Sequence, residues 1–202
     1  IAMTERTSTI ERTTRETTIR GSLALDGERV ISVNTGIGFL DHMLTALAFH
    51  AGWDLELECS GDLEVDDHHT AEDCALALGE AIDRALGDRT GINRFGWAFA
   101  PLDESLARVV VDLSGRPWPE IELGLEREML GALATEKVRH VFVSLAMSMR
   151  AAVHVDVLRG ENDHHRAEAA FKALALALKT ALAAEGTGMP STKGSLNVGT
   201  EI

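Results

Sequence analysis

Asp67-His68-His69-Thr70-Ala71-Glu72 returns at an offset of 96 as Asp163-His164-His165-Arg166-Ala167-Glu168. Carried on from 67 to 86, ten of twenty positions are identical. A second match lies upstream of each copy. Leu40, Met43, Leu44, Leu47, Ala48 and Ala51 form an apolar stripe at helical spacing, and Val138, Val141, Phe142, Leu145, Ala146 and Met149 repeat it 98 positions later. His42 sits just off the first stripe and His140 just off the second. Each half thus reads as a helix with an off-stripe histidine, a connector, then a second helix opened by Asp-His-His-x-x-Glu. Two short matches alone could be chance. The ordered set is the signature of an internal duplication.

The remaining segments of each half read as strands. Ile19, Leu23 and Leu25 alternate up to Asp26-Gly27, a hairpin signal, and Leu55, Leu57 and Cys59 alternate after Trp53. Residues 106–113 and 152–158 have the same pattern in the second half, and Gly115 and Pro117 break the first of these. The helix from 68 stops at Gly87, and the seam between halves falls near 87–93. The expected architecture is α/β (α+β), with half-domains at 1–90 and 91–185 packed through their helices. Residues 186–202 follow as a loop and tail; Gly186–Gly194 holds three Gly and one Pro.

Composition narrows the function. The chain has 202 residues, 19 Lys plus Arg against 32 Asp plus Glu, and a net charge of −13. Such a balance argues against a broad nucleic-acid face, which needs Lys and Arg for phosphate contacts. It leaves room for a small anion held by a few local cations. The apolar runs near 40–50 and 173–184 are too short to span a bilayer. The Thr-, Glu- and Arg-rich opening is no signal-peptide pattern. Two cysteines, Cys59 and Cys74, fall on apolar-patterned positions; they make no disulfide framework, and a reducing cytoplasm is the default expectation.

Six of the eight histidines occupy repeated positions: 42, 68, 69, 140, 164 and 165. Neutral imidazole with carboxylate suits borderline divalent metals. On a helix, His68 and Glu72 are i,i+4 and His69 and Glu72 are i,i+3, so both pairs share a face. Adjacent histidines diverge by roughly 100° on a helix and cannot easily chelate one ion, but they can feed two. Six histidines and two glutamates would then give two ions four protein ligands each. An octahedral ion keeps two positions open, which with this donor set favours Mn over Fe or Zn. Asp67 and Asp163 have a simpler reading as helix N-caps. His154 lies in a strand pattern and reads as structural. His50 lies two turns after His42, and the residues alone leave it open between site and core.

Phe39-Leu40-Asp41-His42-Met43-Leu44, the two His-His-x-x-Glu copies and Pro190-Ser191-Thr192-Lys193-Gly194 resemble imidazoleglycerol-phosphate dehydratases of histidine biosynthesis. The resemblance runs from about Glu11 to about Leu196. It implies two four-stranded sheets sandwiching a layer of four helices, and an octahedral homo-oligomer of 24 subunits. It implies two Mn²⁺ per subunit, shared at subunit interfaces: one held by His68, His140, His164 and Glu168, the other by His42, His69, Glu72 and His165. It also implies that Arg94, Arg116, Lys172, Ser191 and Lys193 hold the substrate phosphate. The residues themselves agree for Ser191 and Lys193, which sit in a glycine-flanked loop able to form a nest of N–H groups. His50 and Glu16 match substrate-contacting positions. Asp103 resembles a polar position near the site.

The implied reaction dehydrates D-erythro-imidazole glycerol phosphate to imidazole acetol phosphate. It is expected to run through a metal-bound imidazolate and a diazafulvene-like intermediate, with Glu16 as proton carrier and Glu168 as its partner. Two other classes compete. A dinuclear hydrolase would keep its ions roughly 3.5–4 Å apart around a bridging water, and no bridging carboxylate is evident here. A ferritin-like storage shell uses Glu-x-x-His; this chain has the reverse order and adds a phosphate-loop tail.

Overall fold

The computed structural model describes residues 6–196; residues 1–5 of the first half and 197–202 of the tail lie outside the described residues. The first half runs β1 (Thr7–Thr13), β2 (Thr17–Ala24), β3 (Ile31–Asn34), α1 (Gly38–Ala51), β4 (Asp54–Gly61) and α2 (His68–Leu86). The second runs β5 (Phe95–Leu102), β6 (Ser105–Asp112), β7 (Trp118–Glu122), the short β8 (Met129–Leu130) and β9 (Leu133–Ala134), α3 (Thr135–Ser148), β10 (Ala152–Arg159) and α4 (Asp163–Leu182). The main sheets are ordered β1-β2-β4-β3 and β5-β6-β10-β7, the same topology twice. In each, the last strand pairs in parallel with the edge strand before the helix, β4 with β3 and β10 with β7. A parallel pair requires a crossover connection, and α1 and α3 supply it.

Four helices form the middle layer. α2 lies on β1 and β2, α4 on β5 and β6, and the halves meet where α1 packs on α4 and α2 on α3. Period-two patterning sends Ile10, Ile19, Leu55 and Leu57 inward from one sheet and Val109, Val111, Val153 and Val155 inward from the other, all buried. Ala167, Ala170, Ala173, Ala177 and Ala181 of α4 are fully buried. Their small side chains let sheet and helix approach closely. The approach is tightest at Gly96, where a Cβ would stand 2.0 Å from the Ala177 carbonyl oxygen.

Local chemistry sets the helix ends. Gly52 follows α1 at φ 84° and its N–H returns to the Ala48 carbonyl, the left-handed stop that glycine adopts without strain. Asp67 holds the N-cap position of α2 but makes no side-chain capping bond, and Asp163 is not the N-cap of α4. Asn162 caps α4, accepting from the His164 N–H at 2.9 Å. Asp163 is buried and accepts from the backbone N–H groups of Glu126 and Arg127, and Asp67 accepts from that of Ala134. Asp163 thus ties down the loop before β8, and Asp67 the end of β9 where α3 begins. The hairpin signal at Asp26-Gly27 also misleads: β2 and β3 are not neighbours, because β4 lies between them. The true hairpins are β1–β2 and β5–β6.

The connection between α2 and β5 carries a buried arginine. Arg89 is 1% exposed, pairs with Asp83 and donates to the carbonyls of Met149 and Arg150. It therefore stitches the junction to the end of α3. Beyond α4 the chain has no regular element through residue 196, but it is anchored. The Pro190 carbonyl accepts from Arg94 at 3.1 Å. Gly115, at φ 78°, lets Leu196 pass where a Cβ would come within 2.4 Å of its carbonyl oxygen.

Candidate active site

The helix contacts sort the repeated histidines into two seams. In the α1–α4 seam, His42 Nε2 and His164 Nε2 each stand 3.1 Å from Glu168 Oε2, although His42 and Glu168 are 126 positions apart. Lys172, one turn on, places its amine 2.7 Å from Glu168 Oε1. Burial acts to raise the Glu168 carboxyl, but Lys172 and His42 outweigh it and bring it down to about 2. In the α2–α3 seam, Glu72 lies 3.0 Å from His140 Nε2 and 3.5 Å from His68 Nε2. In each seam the three donor atoms lie within 4.8 Å of one another. Two imidazoles and a carboxylate at that separation can converge on one divalent ion, so the donors fit a metal.

His69 and His165 turn away from these groups, as adjacent histidines on a helix must. The rings of His68 and His69 stand at 90°, as do those of His164 and His165. His69 places Nδ1 3.0 Å from Asp62 Oδ2 and Nε2 3.7 Å from Glu16 Oε1. His165 places Nδ1 2.8 Å from Glu104 Oε2 and Nε2 3.9 Å from Asp103 Oδ2. The bond to Asp62 pushes the His69 ring above the ordinary histidine range, and the bond to Glu104 does the same for His165. Glu104 itself lies well below the usual carboxylate range, held by His165 and by the N–H groups of Asn162 and Glu161. Residue patterning pointed to neither Asp62 nor Glu104. Both lie outside the repeat, so periodicity has no signal for them.

The substrate-side residues fall in three places. Glu16 sits in the β1–β2 turn beside His69. His50 lies in the last turn of α1, lowered first by burial and then by the Lys172 ammonium. Arg94 pairs bidentately with Asp112 at 2.7 and 3.0 Å and reaches the tail through Pro190. Ser191 is half-buried, Lys193 and Arg116 are exposed, and Arg116 follows the glycine that Leu196 crosses. His154 is exposed on β10, in a sheet and off the helix seams, and Cys59 and Cys74 are buried.

A model of the imidazoleglycerol-phosphate dehydratase family matches residues 35–178. The chain belongs to the imidazoleglycerol-phosphate dehydratase family. It is 53% identical to the Candida glabrata imidazoleglycerol-phosphate dehydratase, over 93% of this chain and 98% of that one. It is 59% identical to the Phytophthora nicotianae protein of the same name over 95% of this chain, but spans only 42% of that longer protein. The Staphylococcus aureus imidazoleglycerol-phosphate dehydratase crystal structure superposes with a TM-score of 0.80 at 39% identity, covering 88% of this chain and 99% of that one. Membership makes the chain a hydro-lyase of histidine biosynthesis and the two-sheet, four-helix sandwich the fold of its family. Among the described residues, no helix of this dehydratase is long and apolar enough to cross a membrane.

Proposed function

We propose that this chain dehydrates D-erythro-imidazole glycerol phosphate to imidazole acetol phosphate in a reaction dependent on two divalent ions per subunit. The seam grouping carries the proposal. One set of four ligands is His68, His140, His164 and Glu168; the other is His42, His69, Glu72 and His165. Each set takes two members from the α2–α3 side and two from the α1–α4 side. Yet within one chain the close groups are His68-Glu72-His140 and His42-His164-Glu168. A four-ligand site thus completes where the α2–α3 seam of one subunit meets the α1–α4 seam of another. Ligands from different chains make ion binding favour association, in keeping with the octahedral assembly of 24 subunits that the resemblance implies. The donor set favours Mn²⁺, and the composition a cytoplasmic setting.

A bound divalent ion supplies Lewis acidity at the substrate imidazole, easing loss of the ring proton. The protein's own groups do the rest. Arg94, Arg116, Lys172, Ser191 and Lys193 bind the phosphate, with 186–202 as a phosphate-binding tail to half-domains 1–90 and 91–185. They fix the carbon chain so that its proton meets the base. His50, lowered by burial and by the Lys172 ammonium, orients the substrate beside Lys172. Departure of the hydroxyl next to the ring gives a diazafulvene-like species. Glu16 then takes the proton from the neighbouring carbon, with Glu168 as its partner in proton transfer. The resulting enol becomes the ketone.

Protein stripped with chelator and reloaded with Mn²⁺ should convert imidazole glycerol phosphate to the ketone, and the stripped protein should not. Glu16→Gln should keep ion content and assembly while losing turnover. Normal turnover by that variant would remove Glu16 from the role of base, and inactive Mn-loaded wild type would overturn the reading.

A further inference from the structure

We infer that Asp62 and Glu104 are positioning residues that set the tautomer of His69 and His165 and present Nε2 of each ring as the free donor. The inference rests on the metal reading above and adds two residues to it. Both Asp62 oxygens reach His69 Nδ1, at 3.0 and 3.2 Å. Glu104 Oε2 reaches His165 Nδ1 at 2.8 Å. A carboxylate only accepts, so each Nδ1 must carry a proton, and in the neutral ring the lone pair is then on Nε2. A histidine that donates its other N–H to a carboxylate is fixed in orientation and made a more basic ligand.

Glu104 is itself held in place. Its Oε1 accepts from the N–H groups of Glu161 at 3.1 Å and Asn162 at 2.9 Å, and from the Ser105 hydroxyl at 3.1 Å. That leaves Oε2 for the ring. Asp62 immediately follows β4, and its carbonyl accepts from the Val65 N–H at 2.8 Å.

The two carboxylates are not copies of each other. Asp62 follows a fourth strand, whereas Glu104 sits in a β5–β6 hairpin turn. At the repeat offset, Asp62 maps onto Leu158–Gly160, which holds no acid. The duplication that placed the two histidine pairs therefore did not supply their partners. The two halves reach one arrangement by different positions, as expected if the ring tautomer is what matters. Both rings also belong to the same proposed ligand set, His42, His69, Glu72 and His165. Loss of either carboxylate should weaken that one ion and spare the other.

Glu104→Gln and Asp62→Asn test this directly. Each amide keeps the size and an acceptor oxygen, but can turn an N–H toward Nδ1 and drive the proton to Nε2. Nitrogen-15 NMR of metal-free protein, above the histidine titration range, should show His165 changing tautomer in Glu104→Gln and His69 in Asp62→Asn. Mn²⁺ titration should show one of two ions weakened roughly 10–100-fold in each variant, with the metal-free unfolding midpoint, read above the histidine titration range, unmoved. Unchanged tautomers, or two ions bound with wild-type affinity, would overturn the inference. A purely loop-anchoring role would move the midpoint instead. Wild-type protein that takes up no Mn²⁺ would overturn the metal reading, a separable result because the tautomer is read without metal.

Discussion

Replacing Asp73 by asparagine should loosen the hairpin that carries Glu16 from the helix that carries His69. Asp73, in α2, is 6% exposed. Its two oxygens accept from Arg12 Nε at 2.8 Å and from the Thr17 hydroxyl at 2.5 Å. Arg12 lies in β1 and Thr17 opens β2, so one carboxylate grips both arms of the turn holding Glu16. Hydrogen bonds to charged groups contribute about 1.5–3 kcal/mol each. Asparagine keeps the shape and one acceptor oxygen, so it forfeits one such bond and leaves the guanidinium without its counter-charge. The expected loss is about 1.5–3 kcal/mol. At about 2–4 °C per kcal/mol for a chain of this size, Tm should fall by roughly 3–12 °C. Urea unfolding of chelated protein, at one fixed protein concentration, should show the same loss at an unchanged m-value. Arg12→Met together with Asp73→Asn should cost less than the sum of the single changes, because both break one contact. A change within about 0.5 kcal/mol, the range of ordinary surface substitutions, would refute the reasoning.

Three further outcomes follow from particular contacts. Gly96→Ala drives a methyl against the Ala177 carbonyl at 2.0 Å and the Ala181 amide at 2.7 Å. Both are backbone atoms, so β5 and α4 must separate; a loss of about 1–3 kcal/mol is expected in denaturant unfolding, and none if the sheet simply shifts. The His50 ring, lowered by burial and by Lys172, should titrate below the ordinary histidine range by NMR, and Lys172→Gln should raise its midpoint. For a base whose folded pKa is depressed, the cost to the fold is full below that pKa and gone above the unfolded value. Stability linked to His50 thus rises with pH through that window, and an unmoved midpoint in Lys172→Gln would exclude the ammonium as a cause. His69→Ala should release one of two ions per subunit by elemental analysis, and retention of both would break the ligand assignment.

Local periodicity made much of this molecule legible. The repeat at 67–72 and 163–168, the two apolar stripes upstream and the glycine after α2 are short-range patterns, and helix geometry turns them directly into faces. The divergence of adjacent histidines follows from the same geometry, and the two members of each pair do meet different partners. Where local signals compete with long-range pairing, they fail. Asp26-Gly27 looks like a hairpin, but β4 takes the place beside β2 and sends the chain onward to the far edge. Asp67 and Asp163 look like caps, yet backbone amides more than thirty residues away claim their oxygens, and Asp67 stands at the head of α2 without capping it through its side chain.

What the sequence determined by itself was the inventory and its spacing: a duplicated α/β unit, six repeated histidines and two glutamates at ligand distance along their own helices. Tertiary structure alone decided which of them meet. His42 faces Glu168 across 126 positions and His140 faces Glu72 across 68, because α1 packs on α4 and α2 on α3. The carboxylates behind His69 and His165 belong to the same category. Helix spacing is a property of a few consecutive residues. The choice of neighbour depends on how two sheets bury their inner faces against one helix layer, and only the folded chain expresses it.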